Sequence, residues 1–143
     1  MNRNLLFALK LIVAIIMLQT LFYKFKGAEE SIDLFTRLVG ENEAFVRIGT
    51  GVLELIASIL LFIPKKIGLG ALLTVGLMGS VILSHLTIIG IIHNNDGGLL
   101  FGSAILTFTL GFILRKKKIT FYRREALTIR VYILQQLLLS NHF

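Results

Sequence analysis

The sequence predicts an all-α protein: a transmembrane four-helix bundle with a short extracytoplasmic amphipathic helix and a cytoplasmic C-terminal tail helix. Hydrophobic residues make up 55% of the 143 positions, and the mean hydropathy is +0.83. A soluble domain of this size needs a more polar surface. The apolar residues form four long runs separated by polar stretches, and basic residues close most of them, as at the ends of membrane spans.

Each run approaches or exceeds the roughly 20 helical residues that cross a bilayer. A secretory signal is the alternative for the first run, but Tyr23, Lys24 and Lys26 follow it in place of a small-residue cleavage site. The third run is long enough to span with tilt, and the fourth is slightly short. The predicted spans, within a membrane domain at 1–118, are 5–23, 45–63, 67–92 and 99–114.

The connection after the first span predicts a short amphipathic helix at 31–39. Its apolar residues recur at helical spacing, and Gly40 follows as a plausible stop. We expect this helix on the membrane surface or over the mouth of the bundle. Sealing the ends of the spans is the simplest role for such an element, and contributing to a site is the alternative.

The tail at 119–143 has too few apolar residues to span a membrane. Its apolar positions fall at helical spacing: Leu127, Val131, Leu134 and Leu138. We expect an interfacial helix whose basic residues lie near anionic lipid, with contact to another subunit as the alternative.

The distribution of charge predicts the orientation of the chain, whose net charge is +7. With four spans both termini lie on one side. That side would carry eleven basic residues, Arg3, Lys10, Lys65, Lys66, Arg115, Lys116, Lys117, Lys118, Arg123, Arg124 and Arg130, and the other side four, Lys24, Lys26, Arg37 and Arg47. The bias predicts a multi-pass protein of the bacterial inner (plasma) membrane with cytoplasmic termini. The expected partner is the lipid bilayer and not nucleic acid, because no soluble module remains to enter a groove.

Glu54 lies at the middle of the second apolar run. A charge at the centre of a bilayer costs about 3 kcal/mol on insertion scales, so such a residue faces a protected interior, is paired, or serves a function. Arg47, Gly51, Glu54 and Ser58 fall within an arc of about 60° on one helix, which predicts that this stripe faces the bundle interior.

The other polar residues of the spans are expected at a similar depth. At about 1.5 Å of rise per residue, Glu54 lies roughly 14 Å, His85 roughly 10 Å and Gln19 about 6 Å from the outer surface, with Lys24 at the mouth. The candidate ligand-binding residues are therefore Glu54, His85, Lys24, Gln19 and Arg47.

Each of these residues has a structural and a functional interpretation. Glu54 either pairs statically with Lys24, Arg47 or His85, or belongs to a ligand or proton site. His85 is either a hydrogen-bonded core histidine or a ligand or proton-transfer group. We interpret His93 as an interfacial loop residue and Asp96 as a turn residue that tolerates left-handed backbone.

Metal and disulfide chemistry are not expected. The chain has no cysteine and three histidines, with no i,i+4 histidine pair, which is a poor ligand set for zinc or haem. Gly76, Ser80 and Ser84 recur every four residues, a spacing that lets helices approach closely, either within the bundle or between copies in a homo-oligomer.

Three segments resemble the DoxX family of integral membrane proteins: LQTLFYKFKGAEESIDLF at 18–35, RIGTGVLELIASILLFIP at 47–64, and SHLTIIG at 84–90 followed by DGGLLF at 96–101. Lys24 fits the lysine of the family's Gly-x-x-Lys pattern, and Leu21 stands at its glycine position. The resemblance implies a four-helix membrane protein with a pocket around Glu54, His85 and Lys24. Relatives are linked to membrane redox systems, among them a quinone-reducing thiosulfate oxidoreductase.

Three functions follow as hypotheses. The first is a membrane subunit that binds a lipophilic ligand such as a quinone beside a redox partner protein, as an accessory subunit in preference to a stand-alone enzyme. The second is a structural or assembly protein in which Glu54 forms a static ion pair. The third is a transporter or membrane enzyme for a small lipophile, although no repeat or broken helix supports transport.

Overall fold

The computed structural model describes residues 3–93 and 95–140, and their side chains apart from those of 121, 122 and 138–140. The side chain of Leu138 and residues 141–143 of the predicted tail therefore lie outside the described part. All of the regular structure within it is helical. In order, the helices are α1 Arg3–Lys26, α2 Glu29–Val39, α3 Glu43–Phe62, α4 Ile67–Ser84 and α5 Leu99–Ser140.

In the described part of the chain, four helical segments are long and apolar enough to cross a membrane. They contain α1, α3, α4 and α5, and α2 precedes α3 without a long break. The prediction of an all-α protein with four candidate membrane spans is therefore confirmed. The structure extends the first predicted span by a few residues at each end and changes one or both ends of the other three.

The four long helices form a closed ring in the order α1, α3, α4 and α5, because α1 and α4 each pack against both α3 and α5. The interior combines small and large side chains: Val13, Met17, Ala57, Leu61, Ala71, Met78, Ala104 and Leu114. Large apolar side chains such as Phe45, Ile59 and Leu83 are exposed on the outside of the ring. This arrangement suits a bilayer, where lipid covers the outer face and close packing holds the helices together.

One end of the bundle is basic. Lys10 lies 5.8 Å from the centroid of the Phe62 ring near the end of α3, and Lys10 and Lys118 are close enough to interact electrostatically. The turn between α3 and α4 carries Lys65 and Lys66. We call this the basic end. The opposite end, where α1 finishes and α5 begins, is covered by α2, and we call it the α2 end.

Gly70 allows the closest helix approach in the α3–α4 hairpin. Pro64 ends α3, because the preceding residue Ile63 takes the extended conformation that proline imposes. A Cβ atom on Gly70 would lie 2.8 Å from the backbone nitrogen of Leu61 and 3.0 Å from the carbonyl oxygen of Ala57. Among the described residues, no heavy atom outside the adjoining backbone of α4 would lie within 4 Å of a Cβ on Gly76. The small-residue series predicted to mediate close packing is therefore not where α4 makes its tightest contact.

The helix α2 lies over the end of the bundle, where it contacts α1, α3 and the segment after α4. Its two flanking glycines, Gly27 and Gly40, have φ angles of 64° and 62°, so the chain reverses at residues suited to left-handed backbone. Phe35 is its buried anchor.

A π-helical turn at His85–Ile89 follows α4. The N–H of Gly90 donates to the carbonyl of His85, five residues earlier, at 2.9 Å. Gly90 has a φ of 85° and ends the helix there, three residues before the predicted end of the third span at Ile92. Wide turns of this kind occur frequently at functional sites.

Asp96 is the cap of α5 and not the left-handed turn residue that the sequence predicts. Asn95, Gly97 and Gly98 take the positive φ angles. The Asp96 carboxylate accepts the N–H groups of Gly98 at 2.9 Å, Leu100 at 3.0 Å and His93 at 3.1 Å. These bonds stabilise the charged form, and the one from Leu100 contributes most to lowering the pKa of Asp96.

The helix α5 does not end at Leu114. It continues from Leu99 to Ser140 for 42 residues, or about 63 Å. The basic segment at 115–118 ends the apolar run, but lysine and arginine are good helix formers and no glycine or proline follows within the helix. Every described side chain from Ile119 to Leu137 is exposed.

Replacing Gly70 with alanine should destabilise the bundle by about 1–3 kcal/mol, because the new methyl group would overlap the backbone of α3. The thermal unfolding midpoint in detergent measures this. Gly76→Ala is the matched control: it gains the same helix propensity in the same helix and meets open space. Equal midpoints for the two variants would contradict the close approach.

Replacing Asp96 with alanine should remove about 1 kcal/mol of stability at neutral pH, as is typical of a lost N-cap. Because folding lowers the pKa of Asp96, its contribution is complete above the ordinary value of 3.8 and is lost as the pH falls through the lowered pKa. Unfolding midpoints of both proteins between about pH 7 and pH 2 should converge at the acid end. A gap that widens on acidification would argue against the cap.

Candidate functional site

Glu54 and Lys24 form a buried ion pair between α3 and α1. The Lys24 Nζ lies 2.6 Å from Glu54 Oε2 and 2.7 Å from Oε1. The side chain of Glu54 is 1% exposed and that of Lys24 is 12% exposed. Of the three partners considered for Glu54, the structure therefore places Lys24 against it. The polar stripe of Arg47, Gly51, Glu54 and Ser58 is buried, as predicted.

Thr20 completes this group, and the sequence analysis missed it. It lies one turn before Lys24 on α1, and its Oγ1 is 3.1 Å from Glu54 Oε2 and 3.2 Å from Lys24 Nζ. The i,i+4 spacing of Thr20 and Lys24 is the signal that could have identified it, because residues four apart share a helix face.

Arg47 belongs to a separate group. Its Nε donates to Glu43 Oε2 at 2.9 Å, one turn earlier on α3, and its Nη1 donates to the backbone carbonyl of Lys24. Arg47 thus holds the end of α1 against the start of α3. It positions the residue that pairs with Glu54 and is itself absent from the wall of the cavity described below.

His85 occupies the π-helical turn opposite α1. Its Nδ1 is 2.8 Å from the carbonyl oxygen of Gly90, and its ring lies 5.7 Å from that of Phe101 on α5, centroid to centroid. No direct hydrogen bond joins His85 to Glu54 among those of the described residues. The two residues approach a common space without touching.

That space is a cavity of about 740 Å³ at the α2 end of the bundle. Four of the five predicted site residues line it: Gln19, Lys24, Glu54 and His85. Apolar side chains from all five helices, including Met17, Leu34, Val46, Met78 and Leu100, supply most of the remaining wall. Cavities of this size and composition, with a few polar groups at fixed positions, are typical of small-molecule sites.

His93 is buried, although the sequence predicts an interfacial loop residue. It is 4% exposed, and its Nε2 lies 3.6 Å from Asp33 Oδ2 on α2 without a hydrogen-bond partner. Both the loop of His93 and the helix α2 border the cavity. The prediction failed because α2 covers a segment that the local sequence, His-Asn-Asn-Asp-Gly-Gly, marks only as a turn.

Fold and site together define a class: a multi-pass helical membrane protein with a buried carboxylate–ammonium pair beside a largely apolar cavity. Comparison of the chain with protein-family models, curated proteins and solved structures gives no match. The geometry of the cavity is therefore the basis for the function proposed below.

Removing one member of the Lys24–Glu54 pair should cost more than removing both. Glu54→Gln leaves the ammonium without its counter-ion and should destabilise the protein by about 3–5 kcal/mol. The double variant Lys24→Gln/Glu54→Gln removes both charges and should recover most of that loss. The unfolding midpoints of the wild type, Glu54→Gln and the double variant in detergent measure this difference.

Arg37→Gln is the control, because it breaks the exposed pair with Asp33 and should cost less than about 1 kcal/mol. If the double variant is as unstable as Glu54→Gln, the pair is not what holds α1 against α3.

Proposed function

We propose that the protein binds a lipophilic ligand, such as a quinone, in the cavity at the α2 end. The observation that carries this proposal is the coincidence of a 740 Å³ largely apolar space with the buried side chains of Glu54 and His85 and the 12% exposed side chain of Lys24. The apolar wall would hold a ring and the start of a hydrocarbon tail. The polar groups would hydrogen-bond the oxygen atoms of the ligand.

The proposed orientation has both termini and the basic end in the cytoplasm of a bacterial inner membrane. The excess of positive charge at the basic end supports it. In this orientation α2 is extracytoplasmic, the cavity opens in the outer leaflet, and the tail at 119–143 begins on the cytoplasmic side next to anionic lipid.

We further propose membership of the DoxX family and association with a membrane redox system. The segments that resemble the family contribute residues of the cavity wall from all five helices and the π-helical turn, including Lys24, Glu54 and His85. The protein would act as an accessory subunit beside a redox partner. A neighbouring gene for an oxidoreductase or cytochrome would support this association.

A structural or assembly function is the second candidate, and the saturation of Lys24 favours it. All three of its ammonium protons are directed at Glu54 and Thr20, as expected for a pair that holds helices in register. If this function is correct, filling the cavity with a bulky side chain would leave the function of the protein unchanged.

The ligand-binding function predicts that a short-tailed menaquinone analogue raises the unfolding midpoint in detergent, because a ligand at a hundred times its Kd contributes about 2.7 kcal/mol. Ser103→Trp should abolish the rise, since Ser103 lines the cavity and an indole would fill part of it. The matched control on the same helix is Ile105→Trp, at an exposed position outside the wall. Absence of a rise in the wild type with both this analogue and its reduced form, or an equal rise in Ser103→Trp, would refute the proposal.

A further inference from the structure

The polar groups around Glu54 have already used their hydrogen-bond donors within the protein. Lys24 has three N–H donors, and its Nζ contacts Glu54 Oε1, Glu54 Oε2 and Thr20 Oγ1 at 2.7, 2.6 and 3.2 Å. None of the three is left for a ligand. The ammonium therefore neutralises the carboxylate but cannot also donate to an oxygen atom in the cavity.

The hydroxyl groups of the wall are committed in the same way. Five of them donate to a backbone carbonyl of their own helix at 2.7–2.9 Å: Thr20 to Met17, Thr50 to Val46, Ser80 to Leu77, Ser84 to Ser80 and Ser103 to Leu100. The other acceptor within reach of the Thr20 hydroxyl is Glu54 Oε2, at 3.1 Å. A hydroxyl has one proton and two lone pairs. These side chains consequently offer lone pairs, and not protons, to a ligand.

The tautomer of His85 follows from its partner. A backbone carbonyl only accepts, so the contact between His85 Nδ1 and Gly90 O places a proton on Nδ1. In the neutral ring the other nitrogen, Nε2, is then an acceptor. Glu54 also retains acceptor capacity, because Oε1 receives one hydrogen bond and a carboxylate oxygen can receive two.

Four further residues of the wall carry hydrogen-bond donors. Gln19 and Tyr23 are on the exposed side of α1, Ser31 is on α2, and His93 faces Asp33. The space between Glu54 and His85 is thus bordered by acceptors. A quinone has only carbonyl acceptors to present to it, whereas a hydroquinone or a phenol has O–H donors.

We propose that the ligand of this cavity is a hydrogen-bond donor, a hydroxyl-bearing aromatic lipophile of the hydroquinone or phenol type, and that the site discriminates against the corresponding quinone. This inference rests on the proposed ligand-binding function and specifies its chemistry. A quinone carbonyl placed against the acceptors of Glu54 and His85 makes no hydrogen bond, so polar atoms of both the ligand and the protein stay buried and unpaired. The free-energy cost of these unpaired atoms is the source of the discrimination.

The test compares three compounds with one carbon skeleton: a short-tailed naphthoquinone, its hydroquinone kept reduced under anaerobic conditions, and the di-O-methyl ether of that hydroquinone. Binding to the purified wild-type chain in detergent is measured for each. The hydroquinone should bind roughly tenfold more tightly than the dimethyl ether and the quinone, as expected for one to two additional hydrogen bonds. Equal affinities, or tighter binding of the quinone, overturn the donor preference but leave the ligand-binding function standing. Absence of binding by all three overturns both.

A variant of the wall provides a second measurement. Lys24→Gln/Glu54→Gln introduces amide N–H donors in place of the saturated ion pair, so the ratio of quinone to hydroquinone dissociation constants should fall several-fold towards one. Arg37→Gln, outside the cavity wall, should leave the ratio unchanged. A ratio in the double variant equal to that of the wild type counts against the assigned acceptors.

Discussion

The ion pair between Lys24 and Glu54 is the constraint on which the arrangement of the bundle depends. A carboxylate that is 1% exposed within an apolar helix requires a counter-ion, and among the described residues α1 supplies it at contact distance. Lys24 in turn is held because Arg47 donates to its backbone carbonyl and because Thr20 lies beside it. These few contacts fix the register of α1 against α3. They also fix the position of Glu54 and Lys24 in the wall of the cavity.

Hydropathy and periodicity predicted the architecture well, because a membrane span depends on the composition of one continuous segment. They also predicted the buried face of α3, since the stripe from Arg47 to Ser58 is a property of one helix. The partner of Glu54 stayed open, because Lys24, Arg47 and His85 were all expected in the same half of the membrane. Only the packing of α1 against α3 selects among them, and Arg47 instead pairs locally with Glu43.

Three other predictions were wrong, for different reasons. The basic run at 115–118 marks the end of an apolar segment but not the end of a helix, because its residues favour helix. Asp96 has the turn chemistry expected of its sequence, but its carboxylate caps α5. His93 is buried only because α2 folds over it, which no local pattern indicates. In the first two cases the missing information was local to the start and middle of α5, and in the third it was tertiary.

The uninterrupted course of α5 links the two ends of the molecule mechanically. Its first turns border the cavity, and its last described residue, Ser140, is about 63 Å away along the axis. A rigid rod of that length amplifies rotation: a tilt of about 5° about its first turn displaces the far end by roughly 5 Å. A change in how the first turns of α5 pack beside the cavity would therefore shift the exposed tail by several ångströms.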